Sequence, residues 1–302
     1  MKEKEQQPAL SVEEQICNLR KLGLSIEDEE RASSYLNEVS YFRLIKAFSL
    51  GLKKPDGQYK EQTTFEDIIQ LYEFNCEFRH LILPLLERVE IDLRCKVANY
   101  ISIHYGVLGY EDPENFADVS YHNEFMLDMM DEIYRNRKAP FVRNFQRNYL
   151  DGKIPMYALV ELFSFGTLSK FFKNMKPADK KALSKQYHLG YTYLESWVES
   201  ISYVRNICAH YGRLYNRRLT KAPILYAQYV GVGVDNRTVF GTMVCLKHLI
   251  SNKEQWNEFI VRTEALFSAY PVAESRRMGF PKNWKTILTA DVNTLKELSE
   301  EE

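Results

Sequence analysis

The chain has 302 residues, 45% of them apolar and 27% charged, which is the balance of a globular protein with one large core or two smaller ones. Its 20 Tyr, 17 Phe and 3 Trp exclude disorder as the dominant state, and no apolar run approaches the roughly 18 to 20 residues of a membrane span. The net charge of -1 hides an asymmetry: residues 135–221 hold 17 Lys plus Arg against 5 Asp plus Glu, an excess of 12 that the rest of the chain offsets with -13. Such a basic third suggests either a polyanion-binding face or charges spread over solvated helices. The five cysteines are widely spaced and contain no CxxC pair, so neither a disulfide framework nor a structural zinc site is expected. The polar opening from Met1 to Pro8 has no apolar signal segment. A cytoplasmic protein with no membrane association, no metal and no cofactor follows as the expectation.

In chain order the signals are helical almost throughout. Ser11 and Glu14 form a capping box for a helix that runs to about Leu22, before Gly23. Ser25 with Asp28 opens a second helix, and Val39 to Leu52 reads as a third. The Lys53-Lys-Pro-Asp-Gly57 stretch is a loop. Thr64 and Asp67 then start a long periodic run from Phe65 to Tyr105, kinked or broken at Pro84. A loop over residues 106–113 precedes helices at 123–137, 140–150, 157–175 with a hitch at Gly166, and 177–188. Thr192 and Glu195 form a second capping box, opening a helix from Tyr193 to about Asn216. Val230 to Phe240 leans towards a short hairpin. Helical spacing resumes at 243–249 and 256–270. The fold class is all-α, organised as a flexible tail (1–10), an N-terminal helical subdomain (11–63), a helical core (64–230), a C-terminal helical extension (231–290) and an acidic tail (291–302).

One constellation carries chemistry. The segment from Tyr203 to Asn216 packs Arg205, Asn206, His210, Arg213 and Asn216 together. On a continuous helix Asn206, His210 and Arg213 share one stripe, with Arg205 bordering the same groove. An imidazole that moves protons near pH 7, beside guanidinium groups that neutralise growing phosphate charge, suits phosphodiester cleavage without a metal. With this chain's composition, chance places Arg-Asn-x3-His only about 0.02 times. The bland alternative is a polar helix face on which His210 satisfies a carbonyl and Arg205 pairs with an acid.

Other residues support either reading. Glu87, Glu90 and Arg94 fall at i, i+3 and i+7 and could buttress Arg205, or form a solvated ion-pair face. Glu161 lies in an apolar helix as a buried partner for Arg205 or as a surface group, and Tyr211 follows the histidine directly. Arg135, Arg137, Lys138, Arg143 and Arg147 interleave with Phe141, Phe145 and Tyr149; with Arg213 and Arg217 they are the candidates for holding RNA, the aromatics being stacking faces or core.

The segment Ser202 to Arg217, SYVRNICAHYGRLYNR, closely resembles the signature of the abortive-infection (Abi) proteins of the AbiD/AbiF group, placed in the HEPN superfamily. Further blocks resemble the same family: Val39–Phe48, Thr64–Phe74, Glu87–Arg94, Ser164–Lys170 and Met278–Trp284. The resemblance implies a HEPN-like helical bundle with additional N- and C-terminal helices, and metal-independent endoribonuclease chemistry in bacterial phage defence. It carries a catalytic role onto Arg205, Asn206 and His210. It also implies a homodimer, because one chain has one motif and such folds pair two. The alternative within the resemblance is a non-catalytic protein that scaffolds a small structured non-coding RNA or senses a phage component.

Overall fold

The computed structural model describes residues 8–295, and among these it contains helices and three isolated bridges but no strand. The helices are α1 (Val12–Lys21), α2 (Glu29–Val39), α3 (Phe65–Tyr105), α4 (Val119–Arg135), α5 (Pro140–Asn148), α6 (Met156–Leu159) and α7 (Phe165–Asn174). They are followed by α8 (Pro177–Ser184), α9 (Tyr191–Ala209), α10 (Ala227–Gly231), α11 (Val239–Leu249), α12 (Lys253–Ala269) and α13 (Trp284–Thr289). The all-α expectation holds. Residues 1–7 of the expected N-terminal tail and 296–302 of the expected acidic tail lie outside the described residues.

Two compact units divide the described residues: the first takes 8–81, 213–217 and 261–278, and the second takes 82–212, 218–260 and 279–295. In the first unit the Ser11–Glu14 capping box is present on both sides and starts α1, which packs Ile16 and Leu19 inward. The start of α2 differs from expectation. Asp28 alone caps it, because the Ser25 backbone is committed to a parallel bridge with Thr64. The expected third helix is a short one around a π-helical turn at Phe42–Lys46. Thr64 and Asp67 cap α3 reciprocally, at 3.1 and 2.8 Å. Phe74 centres this unit's aromatic core, with ring centroids of Phe78, Tyr215, Phe267 and Tyr270 all within 6.0 Å. Buried Asn75 ties the 213–217 segment to α3, its Oδ1 accepting from the Leu214 and Tyr215 N–H groups at 2.7 and 3.2 Å.

The second unit is built on α9, which packs against α7, α8 and α11. Its apolar positions Leu194, Trp197, Val198, Ile201, Val204 and Ile207 are all buried. Nine of the 11 residues of α11 are buried, as expected of a helix apolar all round that is enclosed by others. Thr238 caps α11, and Asn236 donates to the Pro223 carbonyl, so the Val230–Phe240 stretch is the end of α10, a turn and the start of α11 where a hairpin was expected. Pro84 does not break α3. The hitch expected at Gly166 falls at Phe163 and Ser164, because Ser164 caps α7. Thr192 and Glu195 form no capping box: α9 starts at Tyr191 after Gly190, and Glu195 pairs with Lys180 at 2.6 Å.

His248 of α11 gives this unit an acid-sensitive element. Its Nε2 lies 2.7 Å from the Tyr229 hydroxyl and its ring packs 5.2 Å from Trp197. Burial, with the Lys247 charge second, lowers its pKa from 6.5 to about 4. The unfolded chain therefore takes up this proton as pH falls below about 6.5, while the folded chain takes it up only near pH 4. Stability is lost across that window at about 1.4 kcal/mol per unit, or about 3 kcal/mol in all. Urea midpoints between pH 7 and 4 should fall less steeply in His248→Gln than in the wild type; parallel pH profiles would show that this histidine is not the cause.

Candidate active site

The site is organised by one buried carboxylate on α3. Glu90 is 4% exposed and sits between two guanidinium groups. Arg94, one turn further along α3, places Nη2 at 2.5 Å from Glu90 Oε1. Arg205 of α9 donates from Nη2 to the same oxygen at 3.0 Å, and lies 2.7 Å from Oε2, off the axis of a good hydrogen bond. Arg94 has a second task. The break between α6 and α7 frees backbone carbonyls, and Arg94 donates to Val160 O at 2.6 Å and to Phe163 O. The three charges thus fix α9 to α3, and α3 to the turn before α7. Charged groups this far from water are held only when each is paired and hydrogen-bonded.

Arg205 retains partial access to solvent, with its side chain 25% exposed, and its Nη1 donates to Asn206 Oδ1 at 3.3 Å. The helix then ends. The His210 N–H donates to Asn206 O at 3.0 Å as the last helical bond, Tyr211 takes a left-handed conformation with φ 58°, and Gly212 N–H returns to Ile207 O at 2.7 Å. Together with Tyr211 N–H to Cys208 O, this is a Schellman closure with tyrosine where glycine is usual. Gly212 is required beside it: a Cβ there would lie 2.8 Å from Ile207 Cγ2. The closure leaves His210 exposed at the helix end, next to Tyr211, which is 67% exposed.

The expected run of helix to Asn216 is therefore corrected to an end at Ala209, and the stripe of Asn206, His210 and Arg213 does not form. Arg213 belongs to the first unit, where it donates to Tyr215 O and Asn216 O at 2.7 and 2.9 Å. Burial, followed by the charge of Arg217, lowers its pKa. Arg217 lies in the same short segment and donates to Arg213 O at 3.4 Å.

A cavity of about 500 Å³ opens beside Arg205. Glu87, Glu90, Arg94 and Glu161 line it together with Tyr157 and Ile91. Of the acids weighed as a support for Arg205, Glu90 makes the pair, while Glu87 and Glu161 are exposed on the cavity wall. Tyr157 had no sequence signal, because it is brought to the cavity by the break before α7 and not by any spacing with α9. The basic candidates lie elsewhere in the second unit. Arg135 pairs with Glu132 at 2.6 Å, Arg137 stacks on Tyr134 at 4.2 Å, and Arg143 donates to Lys138 O at 3.1 Å. Lys138 and Arg147 are exposed; of the interleaved aromatics Phe145 is core and Tyr149 is 54% exposed.

A family model described as Abi-like protein matches residues 34–216, well over half of the chain. The chain belongs to the Abi-like protein family. The matched span contains Glu90, Arg94, Arg205, Asn206 and His210, so the whole charged cluster of this Abi-like chain lies within the family region. Membership places it with abortive infection, the defence of bacteria against phage. No curated protein and no solved structure matches the Abi-like chain. Among its described residues no group of three or more His, Cys, Asp or Glu is placed to hold a metal ion, and no helix is long and apolar enough to cross a membrane.

Proposed function

We propose that this Abi-like protein is a phage-defence endoribonuclease of HEPN type, with Arg205, Asn206 and His210 as its working residues. The observation that carries this reading is a guanidinium anchored by a buried carboxylate, five residues before an exposed imidazole at the same helix end. In the reaction a ribose 2′-oxygen bonds to the adjacent phosphorus and the bond from phosphorus to the 5′-oxygen breaks. The 2′-hydroxyl proton is taken up, the departing 5′-oxygen gains one, and the products are a 2′,3′-cyclic phosphate and a 5′-hydroxyl.

His210 suits one of these proton transfers, being an imidazole in contact with solvent at the helix end. Arg205 supplies fixed positive charge for the phosphate oxygens as their charge grows, and its tie to Glu90 removes the need to reorganise during the reaction. Asn206 holds the edge of the Arg205 guanidinium. One imidazole serves poorly as both base and acid in a single step, so a homodimer that pairs two α9 helix ends completes the chemistry. The exposed Lys138, Arg143 and Arg147 hold RNA phosphates in this reading, giving binding that weakens steeply with salt.

Neither proton transfer nor charge stabilisation here calls on a metal. Cleavage of a structured RNA by the purified protein should therefore persist in excess EDTA. Loss of cleavage in EDTA, restored by Mg²⁺ at levels too low to fold the RNA, would place the chemistry elsewhere.

A further inference from the structure

We propose that the cavity beside Arg205 is a subsite for a guanine nucleotide, an inference that rests on Arg205 as a phosphate-binding group. Its volume of about 500 Å³ falls within the range of roughly 300–1,000 Å³ typical of small-ligand pockets. The lining carries two guanidinium groups, Arg94 and Arg205, against three carboxylates, and only the Glu90 carboxylate is paired with them, which leaves an excess of one positive charge in that cluster. Glu90 is 4% exposed and still leaves Oε2 without an aligned donor. On the walls Glu87 and Glu161 are exposed carboxylates with no ion pair among the described residues. Tyr157 and Ile91 line the same cavity while 53% and 61% exposed. A ligand that matches the guanidinium groups, the two exposed carboxylates and the Tyr157 and Ile91 faces is anionic at one end, flat and apolar in its body, and carries N–H donors at the other end. That is a nucleotide with its phosphate on Arg205.

The carboxylates select the base. An ionised Glu only accepts hydrogen bonds. Guanine offers N1–H and the 2-amino group as adjacent donors, which one carboxylate accepts together. Adenine and cytosine set an acceptor ring nitrogen beside the amino group, and uracil flanks its one N–H with two carbonyls, so each turns a lone pair towards the carboxylate. Tyr157 supplies the aromatic face on which an unstacked base rests. The same guanosine phosphate has two sources, a residue of the RNA chain or a free nucleotide.

Calorimetric titration of the full chain with 5′-GMP, 5′-AMP, 5′-CMP and 5′-UMP tests this. GMP should bind at least tenfold more tightly than the others, and the Glu87→Gln/Glu161→Gln double variant should lose that preference. Tyr157→Ala should weaken all four by roughly 5- to 150-fold, the range of one lost stacking contact. Equal affinities in the wild type, or a guanine preference that survives the double substitution, would overturn the proposal. Mapping cut sites separates the sources: guanosine at the cut identifies a residue of the RNA, and GMP selection without any preference at the cut identifies a free nucleotide. Because titration needs no cleavage, the two readings fail separately. RNA cutting that depends on His210, without selection of GMP, overturns the pocket and leaves the ribonuclease standing.

Discussion

His210→Ala should lower RNA cleavage by about 10²- to 10⁴-fold, the usual contribution of a positioned general acid or base. The fold should survive the change. The side chain is exposed and no hydrogen bond holds it among the described residues, while the helix closure around it uses the backbone of residues 206–212, which alanine also provides. Circular dichroism and the melting temperature should match the wild type. Equal cleavage by an intact variant would remove His210 from the chemistry, and a large loss of stability would show that its role is structural.

Glu90→Gln should have the opposite profile, with stability and activity failing together. The substitution removes the one negative charge between Arg94 and Arg205, whose side chains are 13% and 25% exposed. Leaving buried charge unpaired costs about 3–5 kcal/mol, and the partial exposure of Arg205 pulls the expectation to the low end. At about 2–4 °C per kcal/mol, the melting temperature should drop by about 6 °C or more. Glu87→Gln, one turn earlier on the same helix and exposed, should stay within about 0.5 kcal/mol of the wild type. If the two substitutions are equally mild, Glu90 does not hold the cluster together.

Several parts of this molecule were legible because their causes are local. The Ser11–Glu14 box and the Thr64–Asp67 pair are satisfied within four residues, and both helix starts lie where the residue types put them. The Arg-Asn-x3-His spacing likewise stood out against composition, and it falls inside the family region. The failures have distant causes. Ser25 lost its cap role to a bridge with Thr64, and Glu195 lost its role to Lys180. The end of α9 depends on Tyr211 accepting a left-handed backbone, a choice that sequence propensity disfavours and that the Gly212 contact with Ile207 supports. Glu90 was one of several acids at plausible spacing. What singles it out is burial between α3 and α9, a tertiary property that no helical period of α3 alone could report.

In the proposed reaction the Arg205–His210 helix end cuts RNA by internal attack of the 2′-oxygen. The most direct measurement is the chemistry of the RNA ends after incubation with the purified chain, resolved by 3′-end sequencing with and without enzymatic removal of cyclic phosphate. The wild type should produce 2′,3′-cyclic phosphate paired with 5′-hydroxyl ends, and His210→Ala should lose both. Ends bearing 3′-hydroxyl and 5′-phosphate, or bound RNA recovered uncut from the wild type, would contradict that reaction.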